Sequence, residues 1–410
     1  MRSDTILIHY GEIALKGRNR PQFERQLRRN VARRLASLDV DWPVRWVHDG
    51  LRIEIPPAGE GKLDAVLMAL REISGIVWFA AASSIPNRTD GEDARVSALA
   101  DALTKLALEH YAAESTFAVR VNRADKRFPL NSQELERRLG QAVIQHTPWR
   151  RVNLNHPDRT FHVDIQPERV YLHVRRHGGL GGLPVGTAGR VLTLVSGGLD
   201  SPVAAFLAAK RGCWVDCIHF AASLMQHRHA VNHKISRLAE HLSSTTLRTR
   251  LYLVPYTHFE VALLGGRTEY ELVLFRRFMA RTAQVLAERI GAQALVTGDN
   301  LGQVASQTME NLASFSRAVD LPVLRPLITY DKQEIVNVAR RIGTFDISVE
   351  PYKDCCSIIG RHPKTRSRHE ALNDEERHLL PDYEGLIERT LQDAVVLEYE
   401  CGERRTTETA

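Results

Sequence analysis

The stretch LVSGGLDSP, residues 194–202, places two glycines, two serines and an aspartate directly after an apolar run, VLTLV. The run reads as a buried strand and SPVAAFLAAKRG as a helix, so Ser196, Gly197 and Gly198 must turn one into the other. Glycine lets consecutive backbone N–H groups converge without side-chain obstruction. The helix N-terminus adds partial positive charge, and the combination binds phosphate. Ser196 and Ser201 add hydroxyl donors. The loop has neither the Gly-Lys-Ser/Thr ending of a Walker A sequence nor the Gly-x-Ser-x-Gly of a nucleophile elbow. Six residues alone favour a capped glycine turn; their place between strand and helix favours a phosphate cradle. A second chemical feature is the adjacent pair Cys355 and Cys356 in EPYKDCCSIIGRHPKTR. Lone cysteine is usually a small core residue, whereas this pair sits among charges, with Lys353 and Arg361 nearby to favour thiolate. Cys217 reads as core, CWVDC is not a C-x-x-C pair, and no zinc constellation stands out. Third, Lys332 stands in the charged stretch YDKQEI. Asp331 and Glu334 beside it have the spacing of a helix cap.

These groups need a scaffold. After residue 190, strands VLTLV, WVDCIHF, LYLVPY and ALVTG alternate with helices over 201–212, 229–243 and 269–290. Alternation predicts a parallel, doubly wound sheet. In such sheets ligands bind beyond the carboxyl ends of the strands, where LVSGGLDSP lies. Before residue 178 the pattern is different. TILIH, the amphipathic PQFERQLRRNVARRLAS, VRWVH and LRIEIP around Asp49-Gly50, a helix over 61–75 and IVWFAAASSI suggest a β-α-β-β-α-β unit. GEIALKGRNRP reads as a turn-rich loop. A second mixed unit follows, with a helix opened by Asn131 or Ser132 ahead of Glu134. Six glycines within residues 178–190 mark a domain linker.

A length of 410 residues suggests two or three domains. Hydrophobic residues at 43% and charged residues at 25% fit a soluble globular chain. No apolar stretch is long enough for a membrane span, and the N-terminus does not read as a signal peptide. Five cysteines, an odd count, argue against a disulfide framework and for a reducing cytoplasm. Net charge is +6, but residues 1–37 alone carry nine basic and three acidic side chains. Further clusters lie at Arg120, Arg123, Lys126 and Arg127, and at Arg137, Arg138, Arg150 and Arg151. This distribution fits a polyanionic partner.

LVSGGLDSP resembles the PP-loop of ATP pyrophosphatases. GEIALKGRNRPQFE, GGLPVGTAGRVLTLVSGGLDSPVAAFLAAKRG, ALVTGDNLGQVASQT, LPVLRPLITYDKQEI and EPYKDCCSIIGRHPKTR resemble, in the same order, segments of the ThiI family of tRNA 4-thiouridine synthases. The resemblance implies an α/β fold: a doubly wound parallel-sheet PP-loop domain preceded by α+β ferredoxin-like and THUMP domains. The expected boundaries are 1–71, 72–176 and 177–385, with a C-terminal tail over 386–410. ATP with Mg2+ would be held by Leu194, Val195, Ser196, Gly197, Gly198, Ser201, His219, Phe220, Arg276, Gly298 and Gln307. Asp200 would serve phosphate and magnesium, Lys332 would matter for activity, and Cys355 would take part in sulfur transfer. No resident metal site is expected.

Expected partners are tRNA, held through Lys16, Arg18, Arg20, Arg123, Lys126 and Arg127, a cysteine desulfurase as sulfur donor, and a second copy in a homodimer. Some family members end in a rhodanese domain. Too few residues follow residue 385 for one, so Cys355, Cys356 or Cys401 is expected to carry the sulfur, and a role in thiamine thiazole synthesis is less secure. Two other readings stay open: a PP-loop ligase or amidotransferase acting on a small metabolite, and a non-catalytic RNA-binding protein.

Overall fold

The computed structural model of the chain describes residues 2–47, 49–87, 91–222, 230, 233–265, 270–303, 307–352 and 367–405. They form two compact units, Met1–Gly182 and Leu183–Ala410.

The first unit opens with β1 (Thr5–His9), α1 (Arg20–Ala36), β2 (Val44–Val47), β3 (Gly50–Glu54), α2 (Leu63–Leu70) and β4 (Trp78–Pro86). Helix α1 buries Leu27, Val31 and Leu35 against Ile6, Ile8, Leu51 and Ile53, which turns its arginines outward as their spacing predicts. GEIALKGRN is not a loop but a 3-10 helix, Glu12–Asn19, kinked at Gly17. The chain continues through α3 (Glu92–Glu109), β5 (Thr116–Arg123), α4 (Ser132–His146), β6 (Arg151–Val152), β7 (Arg159–Ile165), β8 (Arg169–His173) and β9 (His177–Gly178). Of the two expected caps for α4, Asn131 is the one used: its side chain accepts from the Glu134 N–H. Helices α3 and α4 cover Phe117, Val119, Phe161 and Trp149 in a second core. The two halves share one sheet, of order β2-β3-β1-β4-β8-β7-β5-β6. Strand β4 pairs with β1 on one side and β8 on the other, so no gap between sheets follows residue 71. The glycine-rich linker is itself hydrogen-bonded: Gly179 and Gly181 N–H groups donate to Val77 and Ile76, while Gly186 donates to Gly212.

The second unit contains β10 (Arg190–Leu194), α5 (Asp200–Lys210), β11 (Trp214–Ala221), α6 (Lys234–Thr246), β12 (Arg248–Pro255), α7 (Thr257–Ala262), α8 (Glu271–Ile290), β13 (Ala294–Val296), α9 (Met309–Ser316) and β14 (Val323–Leu324). After these come α10 (Lys332–Arg341), α11 (Phe345–Val349), α12 (His369–Leu379), α13 (Tyr383–Gln392), β15 (Val395–Glu400) and β16 (Glu403–Arg405). The sheet order is β14-β13-β10-β11-β12-β15-β16. Its first five strands are parallel, and chain order reverses between β10 and β13. That reversal opens the crevice where doubly wound sheets bind ligands, and the glycine loop leaves β10 at that point.

The expected tail over 386–410 is a correction. Strand β15 pairs antiparallel with β12, Leu251 opposite Leu397, and Leu397 and Tyr399 are buried. The apolar alternation of VVLEY is strand-like, and it covers what would otherwise be an open sheet edge. Helix α12 is anchored by a buried ion pair, Arg277 Nε to Glu376 Oε1 at 2.7 Å.

Candidate functional site

The loop after β10 is held by its own serines. The Ser196 N–H donates to Ser201 Oγ at 2.8 Å, and the two hydroxyl oxygens are 3.2 Å apart. Gly198 N lies 3.4 Å from Ser196 Oγ. The serines therefore shape the loop that delivers the chain into α5. Two glycines allow close approach. A Cβ on Gly298, just past β13, would lie 2.7 Å from the Ser201 backbone nitrogen. One on Gly197 would lie 2.2 Å from the ring of Tyr352. Beyond the loop is a cavity of about 290 Å3.

Two carboxylates frame this cavity differently. Asp200, the first residue of α5, accepts from Lys332 Nζ at 2.9 Å and from Gln303 Nε2 at 3.1 Å. Lys332 starts α10 behind a capping box, the Asp331 side chain accepting from Glu334 N–H and the Glu334 side chain from Asp331 N–H. The segment thus both caps a helix and delivers a cation to the loop. Asp299 is buried and bound by Arg276 at 2.6 Å, Arg325 at 3.4 Å and the Thr297 hydroxyl at 2.8 Å. Burial pushes its carboxyl up, but Arg276, Thr297 and Arg325 outweigh that and hold it below the usual carboxylate range. Arg276 and Arg325 both lie over the Phe315 ring, at 5.4 and 5.7 Å. The Oε1 atoms of Gln303 and Gln307 are buried without a partner among the described residues. Both side chains line the cavity, so both can accept from a ligand amine.

On the β11 side, His219 Nδ1 donates to the Val195 carbonyl at 2.8 Å and its Nε2 lies 2.7 Å from the Tyr352 hydroxyl. Burial holds the His219 pKa down at about 4, so the ring is neutral near pH 7. The Tyr352 hydroxyl also reaches His233 Nε2 at 3.3 Å.

The cavity wall includes Leu194, Val195, Ser196, Gly198, Ser201, His219, Phe220, Arg276, Gly298 and Gln307 together with Asp200. Gly197 lies behind it, under Tyr352. Cys355 and Cys356 lie outside the described residues. Cys401 is a correction: it is buried, with Sγ 3.8 Å from the Leu247 carbonyl. Cys213 and Cys217 are buried too, and burial pushes both thiols up. Sequence reasoning missed Asp299, Gln303, Arg325, His233 and Tyr352. Asp299, Gln303, Arg325 and Tyr352 stand inside the quoted segments ALVTGDNLGQVASQT, LPVLRPLITYDKQEI and EPYKDCCSIIGRHPKTR, beside residues that were weighed; His233 carried no local signal.

In the first unit, Arg18 and Lys126 are exposed, and Lys16 lies over Phe23 at 5.2 Å. Arg127 pairs with Asp125 at 2.9 Å. Arg20 and Arg123 are tied inward, the first to Glu24 and Asp49, the second to the carbonyls of Phe128 and Leu130. Folding therefore uses these two arginines, which charge counting could not separate from the rest. A polar cavity of about 770 Å3 is lined by residues including Arg159, His162, His173, Arg175, Arg176 and His177. His173 pairs with buried Asp164 at 2.9 Å. Among the described residues, no three side chains group as metal ligands, and no helix is long and apolar enough to cross a membrane.

Comparison with known proteins gives three matching family models. ThiI, described as a thiamine biosynthesis protein, matches residues 186–380; the ThiI ferredoxin-like domain matches 5–80 and the THUMP domain 93–175. A "Probable tRNA sulfurtransferase" of Moorella thermoacetica is 38% identical over 378 residues, covering 92% of this chain and 93% of its own. A protein of the same description from Geobacillus kaustophilus is 37% identical, covering 98% of both chains. A crystal structure described as a 4-thiouridine synthetase–RNA complex with bound ATP aligns with a TM-score of 0.84 at 33% identity, over 97% of this chain and 100% of that one. PH1313 from Pyrococcus horikoshii shares the fold, with a TM-score of 0.63 at 21% identity over 83% of this chain and 99% of its own.

Proposed function

The chain belongs to the ThiI family, and from that premise we propose that it is an ATP-dependent tRNA sulfurtransferase converting uridine 8 of tRNA to 4-thiouridine. The observation that carries this reading is the Asp200–Lys332 pair, 2.9 Å apart at the mouth of a glycine loop on a sheet's switch point. A uracil C4 carbonyl has no good leaving group, and adenylation supplies one. O4 attacks the α-phosphorus of ATP, the N3 proton goes to solvent, and the α–β anhydride bond breaks to release pyrophosphate. Lys332 and the N-terminus of α5 offset the negative charge that develops there. Asp200 also suits a magnesium ion brought in with the nucleotide, because Mg2+ takes one or two carboxylates and completes its shell with phosphate oxygens and water. Bound there, the ion would neutralise phosphate charge.

The sulfur step needs an accessible thiol. Three of the five cysteines, Cys213, Cys217 and Cys401, are buried, which leaves Cys355 and Cys356. The terminal sulfur of a Cys355 persulfide, loaded by a cysteine desulfurase, attacks C4, and AMP departs with O4. A second thiolate then attacks the cysteine sulfur of the C4–S–S link. 4-Thiouridine leaves, and the two cysteine sulfurs end as a disulfide that a cellular dithiol reopens. The basic first unit would hold tRNA largely through phosphate contacts and shape, which makes binding salt-sensitive.

The test is reconstitution. Protein, unmodified tRNA, ATP, Mg2+, cysteine and a desulfurase should yield 4-thiouridine absorbance, and Asp200→Ala and Cys355→Ser should each abolish it. Full turnover in either variant, or pyrophosphate release that ignores tRNA, would overturn the reading.

A further inference from the structure

The first peptide of the glycine loop is clamped on both sides. The Val195 carbonyl accepts from His219 Nδ1 at 2.8 Å. The N–H of the same planar unit, on Ser196, donates to Ser201 Oγ at 2.8 Å. Turning that plane turns the backbone of Gly197 and Gly198 that follows it. The His219 half of the clamp depends on which ring nitrogen carries the proton. A carbonyl can only accept, so Nδ1 is protonated and Nε2 is an acceptor. The Tyr352 hydroxyl, 2.7 Å from Nε2, is the donor that fixes this tautomer. The hydroxyl oxygen is occupied in turn. His233 Nδ1 accepts from the Ile235 N–H at 3.4 Å, so its Nε2 carries a proton and donates to Tyr352 at 3.3 Å. The Tyr352 ring meets the loop a second time, in the space a side chain at Gly197 would need.

Tyr352 can set the loop because it is itself held from α6. Buried Lys234 donates to the Ser348 and Glu350 carbonyls at 2.8 and 2.7 Å, and Arg237 Nη1 donates to the Glu350 carboxylate at 3.0 Å. Lys234 Nζ also lies 5.5 Å from the Tyr352 ring centre. His219 is 1% exposed, so water does not replace a donor lost at its Nε2. Without the tyrosine hydroxyl the ring either keeps a buried acceptor unpaired or moves its proton to Nε2 and faces the Val195 carbonyl with a lone pair. Both outcomes weaken the hold on the 195–196 peptide.

We propose that Tyr352, acting through His219, is a positioning residue of the nucleotide site, which sets the 195–196 peptide and with it the backbone that cradles the β- and γ-phosphates of ATP. This rests on the ATP-dependent reading above. Calorimetry on the full-length protein with Mg2+ compares two probes: α,β-methylene-ATP, which carries all three phosphates, and AMP, which lacks the two the loop is placed to hold. Tyr352→Phe keeps the ring against Gly197 and removes only the donor. Expected is an about tenfold rise in Kd for the ATP analogue, with the Kd for AMP within about twofold of the parent protein. His219→Leu should also weaken the analogue, and His219→Asn, which keeps an N–H for the Val195 carbonyl, should recover most of the affinity. This pair reads the clamp even if Tyr352→Phe fails to fold. In the His219→Asn background the tyrosine no longer has its acceptor, so adding Tyr352→Phe should change the analogue's Kd by less than about twofold. A tyrosine that merely supports the fold costs the same in both backgrounds. Unchanged affinity for the analogue in Tyr352→Phe, an equal loss for both probes, or additive effects in the double variant overturns the proposal. If the parent protein binds neither nucleotide, the ATP-dependent reading fails and this proposal falls with it; if it binds both but makes no 4-thiouridine, only the sulfurtransferase reading fails.

Discussion

Gly298→Ala tests whether the close seat of the glycine loop matters for catalysis rather than for folding. The added Cβ would lie 2.7 Å from the Ser201 nitrogen and 2.9 Å from both the Asp200 carbonyl carbon and the Ser201 Cα. Comfortable separations begin at ~3.5 Å, so the first turn of α5 must retreat by roughly 0.6–0.8 Å. All three obstructing atoms are backbone, and no rotamer change relieves them. Overpacking of this kind costs about 1–3 kcal/mol, which a domain with an ordinary reserve of ~5–15 kcal/mol survives. Catalysis is less forgiving: a displacement near 1 Å at reacting groups costs ~100-fold. The expectation is a folded protein whose pyrophosphate release is slowed about 10- to 100-fold, measured beside thermal unfolding to establish that it folds. Gly140→Ala is the control. Gly140 lies inside α4, where a Cβ would meet nothing within 4 Å. Better helix propensity should stabilise it by ~0.5–1 kcal/mol and leave the rate alone. Gly298→Ala turning over within twofold of the parent would refute the reasoning.

Two more predictions follow from burial. Single substitutions Cys213→Ala, Cys217→Ala and Cys401→Ala should keep 4-thiouridine formation, because those thiols are buried and two of them are pushed up in pKa. Mass spectrometry of desulfurase-loaded protein should find the persulfide on Cys355 or Cys356; finding it on Cys401 would contradict the burial argument. Second, burial lowers the pKa of His9 from 6.5 to about 4 and that of His162 to about 3. The unfolded chain then binds more protons in that window, so the first unit loses stability as pH falls below about 6.5 and goes on losing it down to those folded values. Urea midpoints at about pH 7.5 and pH 5 should differ less for His162→Gln than for the parent; an unchanged difference would remove His162 from the account.

Local signals carried much of the fold. The alternation after residue 190, the Asp331–Glu334 cap and the arginine-faced helix α1 depend on neighbours within a turn or a strand, and each was legible in the sequence. The closing strand β15 was not. Its pattern, VVLEY, is short, and its partner β12 lies about 150 positions earlier, Arg248 facing Glu400. The site divides the same way. The glycine loop is one contiguous motif. The pairing of Lys332 with Asp200, of Tyr352 with His219 and of Arg325 with Asp299 each spans a long loop in sequence, and only the sheet's chain order brings them together. Arg20 and Arg123 show the converse: composition marks them as free positive charge, but Glu24 and Asp49 pair with the first and the Phe128 and Leu130 carbonyls accept from the second.

The two carboxylates at the cavity are not interchangeable, and exposure is the reason. The Asp200–Lys332 pair is open to solvent, with 21% and 51% of the side chains exposed. Such pairs are worth only about 0–1 kcal/mol. On the proposed function, Asp200 would leave Lys332 for a metal ion at little cost, and Lys332 would turn toward phosphate. The Asp299–Arg276 pair is only 6% and 12% exposed. Removing one member of a buried pair costs about 3–5 kcal/mol, so Asp299 cannot be a ligand that comes and goes. Its task is to hold Arg276 still. A guanidinium already desolvated, already paired and resting over Phe315 needs no reorganisation when charge develops beside it, which is the condition under which a fixed cation contributes most to catalysis. On that proposal one carboxylate exchanges partners and the other prevents exchange. Exchanging the two environments, rather than deleting either acid, should be the more damaging change.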